Sequence, residues 1–91
     1  MTRVLHKDIQ LFFDTGSKSG INADHAAKLA RQLALLNAVN SPTEMDVAGW
    51  NLHPLQGELK GHWTVKVSGN WRLTFAFEDE NAILVDYQDY H

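Results

Sequence analysis

The 91 residues contain no cysteine. That excludes a disulfide framework and any thiolate metal site. No apolar run approaches the roughly 20 residues needed to span a bilayer. The first residues also lack the charged-then-apolar pattern of a secretory signal. A cytoplasmic protein with no membrane attachment is therefore expected. Proline is scarce, with only Pro42 and Pro54, and both fall in the middle of the chain. Positive charge is short as well: eight Lys/Arg face eleven Asp/Glu, for a net charge of -3. Nucleic-acid binders are ordinarily basic, so any such role here requires a local cationic patch. There are no repeats, linkers or low-complexity tracts, and the length suits one domain over residues 1–91.

What is present reads as α+β. "RVL" (Arg3–Leu5) is a short candidate strand. "HKDIQLFFDTG" places Ile9, Phe12 and Phe13 at helical spacing, with Gly16 as a stop. "NADHAAKLARQLALLNAV" predicts a second helix. Asn22 is its cap, Asp24 suits its positive end, and Ala26, Leu29, Ala30, Leu33 and Leu36 form its apolar stripe. Residues 44–61 are irregular and read as a long structured loop with one short turn or strand. Three strands follow: "HWTVKV", "WRLTFAF" and "AILVDYQDY", joined by the hairpin loops "SGN" and "EDEN". The expected architecture is two N-terminal helices packed on an antiparallel sheet, to which the first short strand adds.

Burial sets the register, because a one-residue slip would send every core side chain to water. Pairing Val67 with Trp71 aligns Trp63, Val65 and Val67 with Trp71, Leu73, Phe75 and Phe77, and with Ile83, Val85 and Tyr87. These odd-numbered residues form the face beneath the helices. The open face then carries His62, Thr64, Lys66, Arg72, Thr74, Asp86, Gln88 and Tyr90. Lys66 and Arg72 lie opposite each other near "SGN". The acidic Glu78-Asp79-Glu80 loop lies at the other end, roughly 20 Å away, beyond a screening length of about 8 Å. Residues 1–45 carry five cations against four anions, and residues 46–91 three against seven. Even that acidic half can hold a cationic patch. The simplest reading of this face is a solvated sheet surface. Against it stands the close of the chain, "DYQDYH", which gathers acid–base side chains directly after an apolar run.

These pieces together carry a resemblance. Leu52-His53-Pro54-Leu55-x-Gly57, Gly61-x-Trp63, Asn70-Trp71-Arg72-Leu73-Thr74-Phe75 and the terminal Asp89-Tyr90-His91 occur in an order and spacing that resemble the HigB branch of the RelE toxin superfamily. The match covers roughly half the chain. The resemblance implies a RelE-like microbial RNase fold with a curved sheet, and a ribosome-dependent endoribonuclease. Such a toxin enters the A site of the 30S subunit and cuts messenger RNA without metal or cofactor. A HigA-like helix-turn-helix antitoxin neutralises it. Carried over by motif, His53, Asp89, Tyr90 and His91 are the catalytic set, with Arg72 beside the scissile phosphate. One position departs: where relatives often have lysine after "HPL", this chain has Gln56, and Lys60 is the cation available to replace it. Lys60, Lys66 and Arg72 are thus the expected RNA contacts.

The residue types suit metal-free RNA cleavage, which needs a base near the 2′-hydroxyl, an acid at the leaving oxygen and positive charge on the phosphate. Imidazole can give or take a proton near neutrality. Arginine is always charged and its planar fork fits phosphate. His53 or Asp89 is assigned as base, His91 as acid, Arg72 as electrostatic stabiliser and Tyr90 as positioner by stacking. In a regular strand Asp89 and His91 would point to the core face, so the last two or three residues are expected to leave the strand and curl over the open face. His6 and His25 read as inert surface helix residues. Two rival classes stand beside the enzyme. One is a toxin-like module that binds antitoxin or RNA without cutting, which the acidic balance and Gln56 favour. The other is a metal protein using His53, Asp89 and His91, which lacks a close ligand pair such as the two histidines of H-E-x-x-H.

Overall fold

The structure, a computed structural model, describes residue 1 and residues 3–89. Helix α1 spans Lys7–Thr15 and helix α2 spans Ala26–Ala38. Gly16 ends α1 at φ +78°, the left-handed conformation that only glycine takes without steric cost, and its N–H returns to the Phe12 carbonyl. Asn22 does cap, but it caps a 3-10 turn at Ala23–His25, and α2 begins only at Ala26. Ala26, Leu29, Gln32, Leu33 and Leu36 are the buried face of α2. Ala30, expected in that stripe, is exposed.

Four strands form one antiparallel sheet in the order β1-β2-β3-β4: His53–Pro54, Trp63–Ser68, Trp71–Glu78 and Asn81–Asp89. The N-terminal segment adds only a parallel bridge, Val4 to Val85. The long loop before β2 is held rather than loose. Met45 is fully buried, Trp50 is buried, and the Trp50 carbonyl accepts the Lys66 N–H at 2.7 Å. That bond occupies the edge of β2 where β1 has already ended, so the backbone groups there do not go unpaired.

Two bulges correct the simple alternation. Ser68, not Val67, pairs with Trp71, and the register shifts between Lys66 and Ser68. The hairpin loop is then Gly69-Asn70, with Gly69 at φ +55°. A second shift lies between Thr74 and Ala76, where β4 carries one extra residue and Leu84 sits at φ +54°. An extra residue flips the phase of a strand. Ala82 consequently faces the helices, and Ile83 pairs with Ala76 on the other face. The expectation that Ile83 belongs to the main core is thus overturned. Val65, Leu73, Phe75, Val85 and Tyr87 pack under the helices as expected.

Candidate functional site

Directly opposed residues on neighbouring strands share a face. The register therefore writes two rows across the open face. One row is His53–Thr64–Thr74–Asp86, and the next is Lys66–Arg72–Gln88. Thr64 and Thr74 are buried at the centre of the first row. Their small side chains make a floor, and the Thr64 hydroxyl donates to the Leu73 carbonyl at 3.2 Å. Longer side chains rise around them. From strand spacing and rise, the Cα atoms of His53 and Arg72 lie roughly 12 Å apart on a flat sheet.

His53 sits on a two-residue edge strand, where Pro54 costs no ladder bond that the edge needs. Just before it, Asn51 takes φ +53°, a conformation asparagine tolerates. The His53 Nδ1 lies 2.9 Å from the Asn51 carbonyl. A carbonyl only accepts, so Nδ1 carries the proton and donates. In the neutral ring the lone pair is then on Nε2, and the side chain is exposed to solvent.

Arg72 is half-buried on β3. Its Nη1 donates to the carbonyls of Gly69 at 2.7 Å and Trp71 at 3.1 Å. The hairpin loop thereby anchors one arm of the guanidinium, and the described residues take no hydrogen bond from Nε or Nη2. Lys66 is the direct cross-strand partner of Arg72. Lys60 is exposed at the end of a 3-10 turn over Gly57–Leu59 and belongs to neither row. Asp86, on the same face, is fully engaged: one oxygen accepts the Tyr87 N–H at 2.8 Å and the other accepts from the Gln88 amide at 2.7 Å.

Asp89 is the last residue of β4 and pairs with Trp71, so the curl does not start there. By register its side chain starts on the helix side, and its charge is felt by the Tyr87 phenol. Tyr90 and His91 lie outside the described residues.

On the helix side the structure contains a cluster that sequence reasoning missed. His25 is buried, and its Nδ1 meets the Tyr87 hydroxyl at 2.5 Å. Trp71 stacks on Tyr87 with centroids 4.5 Å apart, and His6 approaches the same ring edge-on. Burial pushes the Tyr87 phenol above its usual 10.0. The Asn22 backbone N–H opposes that shift and the Asp89 carboxylate adds to it. Neither His6 nor His25 is a surface helix residue: His6 caps α1, accepting the Ile9 N–H. The signal for His25 was available, since it falls one turn before Leu29 on the same stripe. Gln32 is buried on that stripe too, and donates to the Lys66 carbonyl at 2.9 Å.

Two cavities of about 280 Å³ lie elsewhere: a polar one beside Arg3, Glu78 and Ile83, and an apolar one between Phe12, Phe13 and Leu33. Among the described residues no group of three or more His, Asp or Glu is placed to hold a metal ion. None of their helices is long and apolar enough to cross a membrane.

Comparison with known proteins adds two findings. A family model described as the RelE-like toxin of type II toxin–antitoxin system HigB matches residues 3–91. The chain is also 34% identical over 86 residues to a protein named Endoribonuclease HigB from Proteus vulgaris, covering 94% of each chain.

Proposed function

Since this chain belongs to the HigB family of RelE-like toxins of type II toxin–antitoxin systems, we propose that it is an endoribonuclease that cuts messenger RNA in the A site of a translating ribosome. The observation that carries the reading is the open sheet face. There an exposed imidazole with its Nε2 lone pair free stands in the row next to a hairpin-anchored guanidinium.

The reaction is an internal transfer. The ribose 2′-oxygen bonds to the adjacent phosphorus, and the bond from phosphorus to the 5′-oxygen breaks. The 2′-hydroxyl proton passes to a base, and an acid returns one to the leaving oxygen. The products are a 2′,3′-cyclic phosphate and a 5′-hydroxyl, and no metal or cofactor is needed. Arg72 stabilises the charge that builds on the phosphate oxygens, through the arm its loop leaves free. His53 Nε2 or the Asp89 carboxylate is the base, His91 the acid, and Tyr90 positions a base by stacking. Lys66 and Lys60 contact the backbone. A HigA-like antitoxin restrains the toxin, and both act in the cytoplasm.

Translation in a purified system with mapped 5′ ends tests this. Codon-phased cuts bearing 5′-hydroxyl ends are expected. The start of Asp89 on the helix side favours a second reading, a module that binds antitoxin or RNA without cutting. Arrest of translation without new 5′ ends would select that reading and reject the first.

A further inference from the structure

Arg72 and Lys66 are opposed across β2 and β3, about 5 Å apart at the backbone. The cationic surface does not stop there. Gln32 of α2 donates to the Lys66 carbonyl at 2.9 Å, which ties α2 to β2 at that residue. One turn earlier on the same helix is Lys28, and immediately before Gln32 is Arg31. Residues spaced three apart on a helix stand about 5–6 Å apart. Arg31 is exposed and Lys28 half-buried. Burial first, then the charges of Lys66 and Arg31, hold the Lys28 ammonium below the usual 10.5. The four cations thus follow one another in space, Arg72 to Lys66 across the strands and Lys66 to Lys28 and Arg31 past the β2 edge that Trp50 and Gln32 occupy.

Among the described residues none of the four forms a salt bridge, and the one ion pair is Arg3 with Glu78, at the other end of the sheet. In a chain with eleven acidic residues and net charge -3, four adjacent cations with no described carboxylate between them repel one another, a cost to the fold. A polyanion is the ligand that such a row accommodates. We propose that Lys28 and Arg31 continue the site of Arg72 and Lys66 as a track for the sugar–phosphate backbone of the RNA strand being cut, gripping the nucleotides that flank the scissile bond. This extends the endoribonuclease reading above and rests on it. Continuity with Arg72 points to the substrate strand rather than to ribosomal RNA.

The probe is a 2′-O-methyl RNA 12-mer, which has no free 2′-hydroxyl to attack and reports binding apart from cleavage. Affinity is measured across a salt series for the unaltered protein, K28Q/R31Q and K7Q/K18Q. The last removes the same charge from exposed lysines off the track. K28Q/R31Q is expected to bind roughly tenfold or more weakly at 0.1 M salt, with the slope of log affinity against log salt smaller by about 1.4. K7Q/K18Q is expected to keep the slope. Thermal melting should show K28Q/R31Q folded and no less stable, because like charges have been removed. Equal 12-mer binding by K28Q/R31Q and the unaltered protein overturns the proposal. So does an equal loss in K7Q/K18Q, which would make the effect one of net charge. A defect on ribosomes with none on the 12-mer places the track against ribosomal RNA and also overturns it. Failure of the endoribonuclease reading is a separate result: intact message in the translation assay, whatever the 12-mer shows.

Discussion

Arg72 is placed by two bonds of one nitrogen, and no described residue accepts from the rest of its fork. Arg72→Ala is expected to lower cleavage by about 10²–10³-fold, the usual cost of removing a transition-state donor. Melting should stay close to the parent, because the lost bonds are to loop carbonyls that water can reach. Cleavage within threefold of the parent would remove Arg72 from the mechanism. Asp89 starts on the helix side, so Asp89→Asn is expected to cost less, about tenfold, in the same assay. Tyr87 tests the other face. Its phenol pKa is raised in the folded chain, so the folded state keeps its proton longer than the unfolded one. The stabilisation is present in full below about pH 10 and is lost as pH rises through the folded value. Tyr87→Phe should remove that alkaline loss. It should also destabilise the protein by about 1–3 kcal/mol at neutral pH, since buried His25 loses its partner. Denaturant melts at neutral and alkaline pH read both effects.

The two hairpins and the α1–α2 connection show how much of an element depends on single backbone positions. Gly69 opens its loop at φ +55°, and a Cβ there would meet nothing within 4 Å. Gly69→Ala should therefore cost only the left-handed penalty, about 1–2 kcal/mol. Gly20 differs. It too has positive φ, but a Cβ there would run into the Asp8 carboxylate of α1. Gly20→Ala should cost more than Gly69→Ala, and Asp8→Ala in the same chain should restore part of the difference. A double-mutant cycle from urea melts measures that coupling. Additive costs would mean that Asp8 swings away freely. Leu84 is the third such position. Its φ of +54° in the middle of β4 is unusual for a branched aliphatic residue. The bulge there exchanges Ala82 for Ile83 at the core.

Across the whole molecule, charge is separated by distance rather than cancelled. Acidic residues gather at the β3–β4 loop and cations at the β2–β3 end and along α2, with Asp86 and Asp89 of β4 the carboxylates nearest that end by register, so a chain of net charge -3 still carries a local cluster of cations. Lys28 carries a cost in the folded state, from burial first and from the neighbouring cations Lys66 and Arg31 after it. Its folded pKa is lowered, so the folded protein binds fewer protons than the unfolded chain as pH climbs toward 10.5, and its contribution to stability rises over that window. Lys28→Met should accordingly raise the melting temperature at low ionic strength, and the gain should shrink in high salt as the repulsion is screened. A melting temperature unchanged at low salt would show that the cations do not strain the fold.

Local signals in the chain determined the two helices, the three long strands, the Gly16 stop and the helix-facing set Val65, Leu73, Phe75, Val85 and Tyr87. Each of these rests on a short-range period or a turn residue, which neighbours in sequence suffice to express. Lys66 opposite Arg72 was legible for the same reason, since two residues on either side of a tight hairpin have few ways to pair. What the tertiary structure alone decided is long-range. The extra residue at Leu84 reversed the phase of β4. The Asn51 carbonyl chose which nitrogen of His53 holds the proton. Buried His25 and Gln32 found their partners on strands 62 and 34 residues away. No local period encodes those partners, because a buried polar group is satisfied by whatever packing brings near it, and only the folded chain determines that.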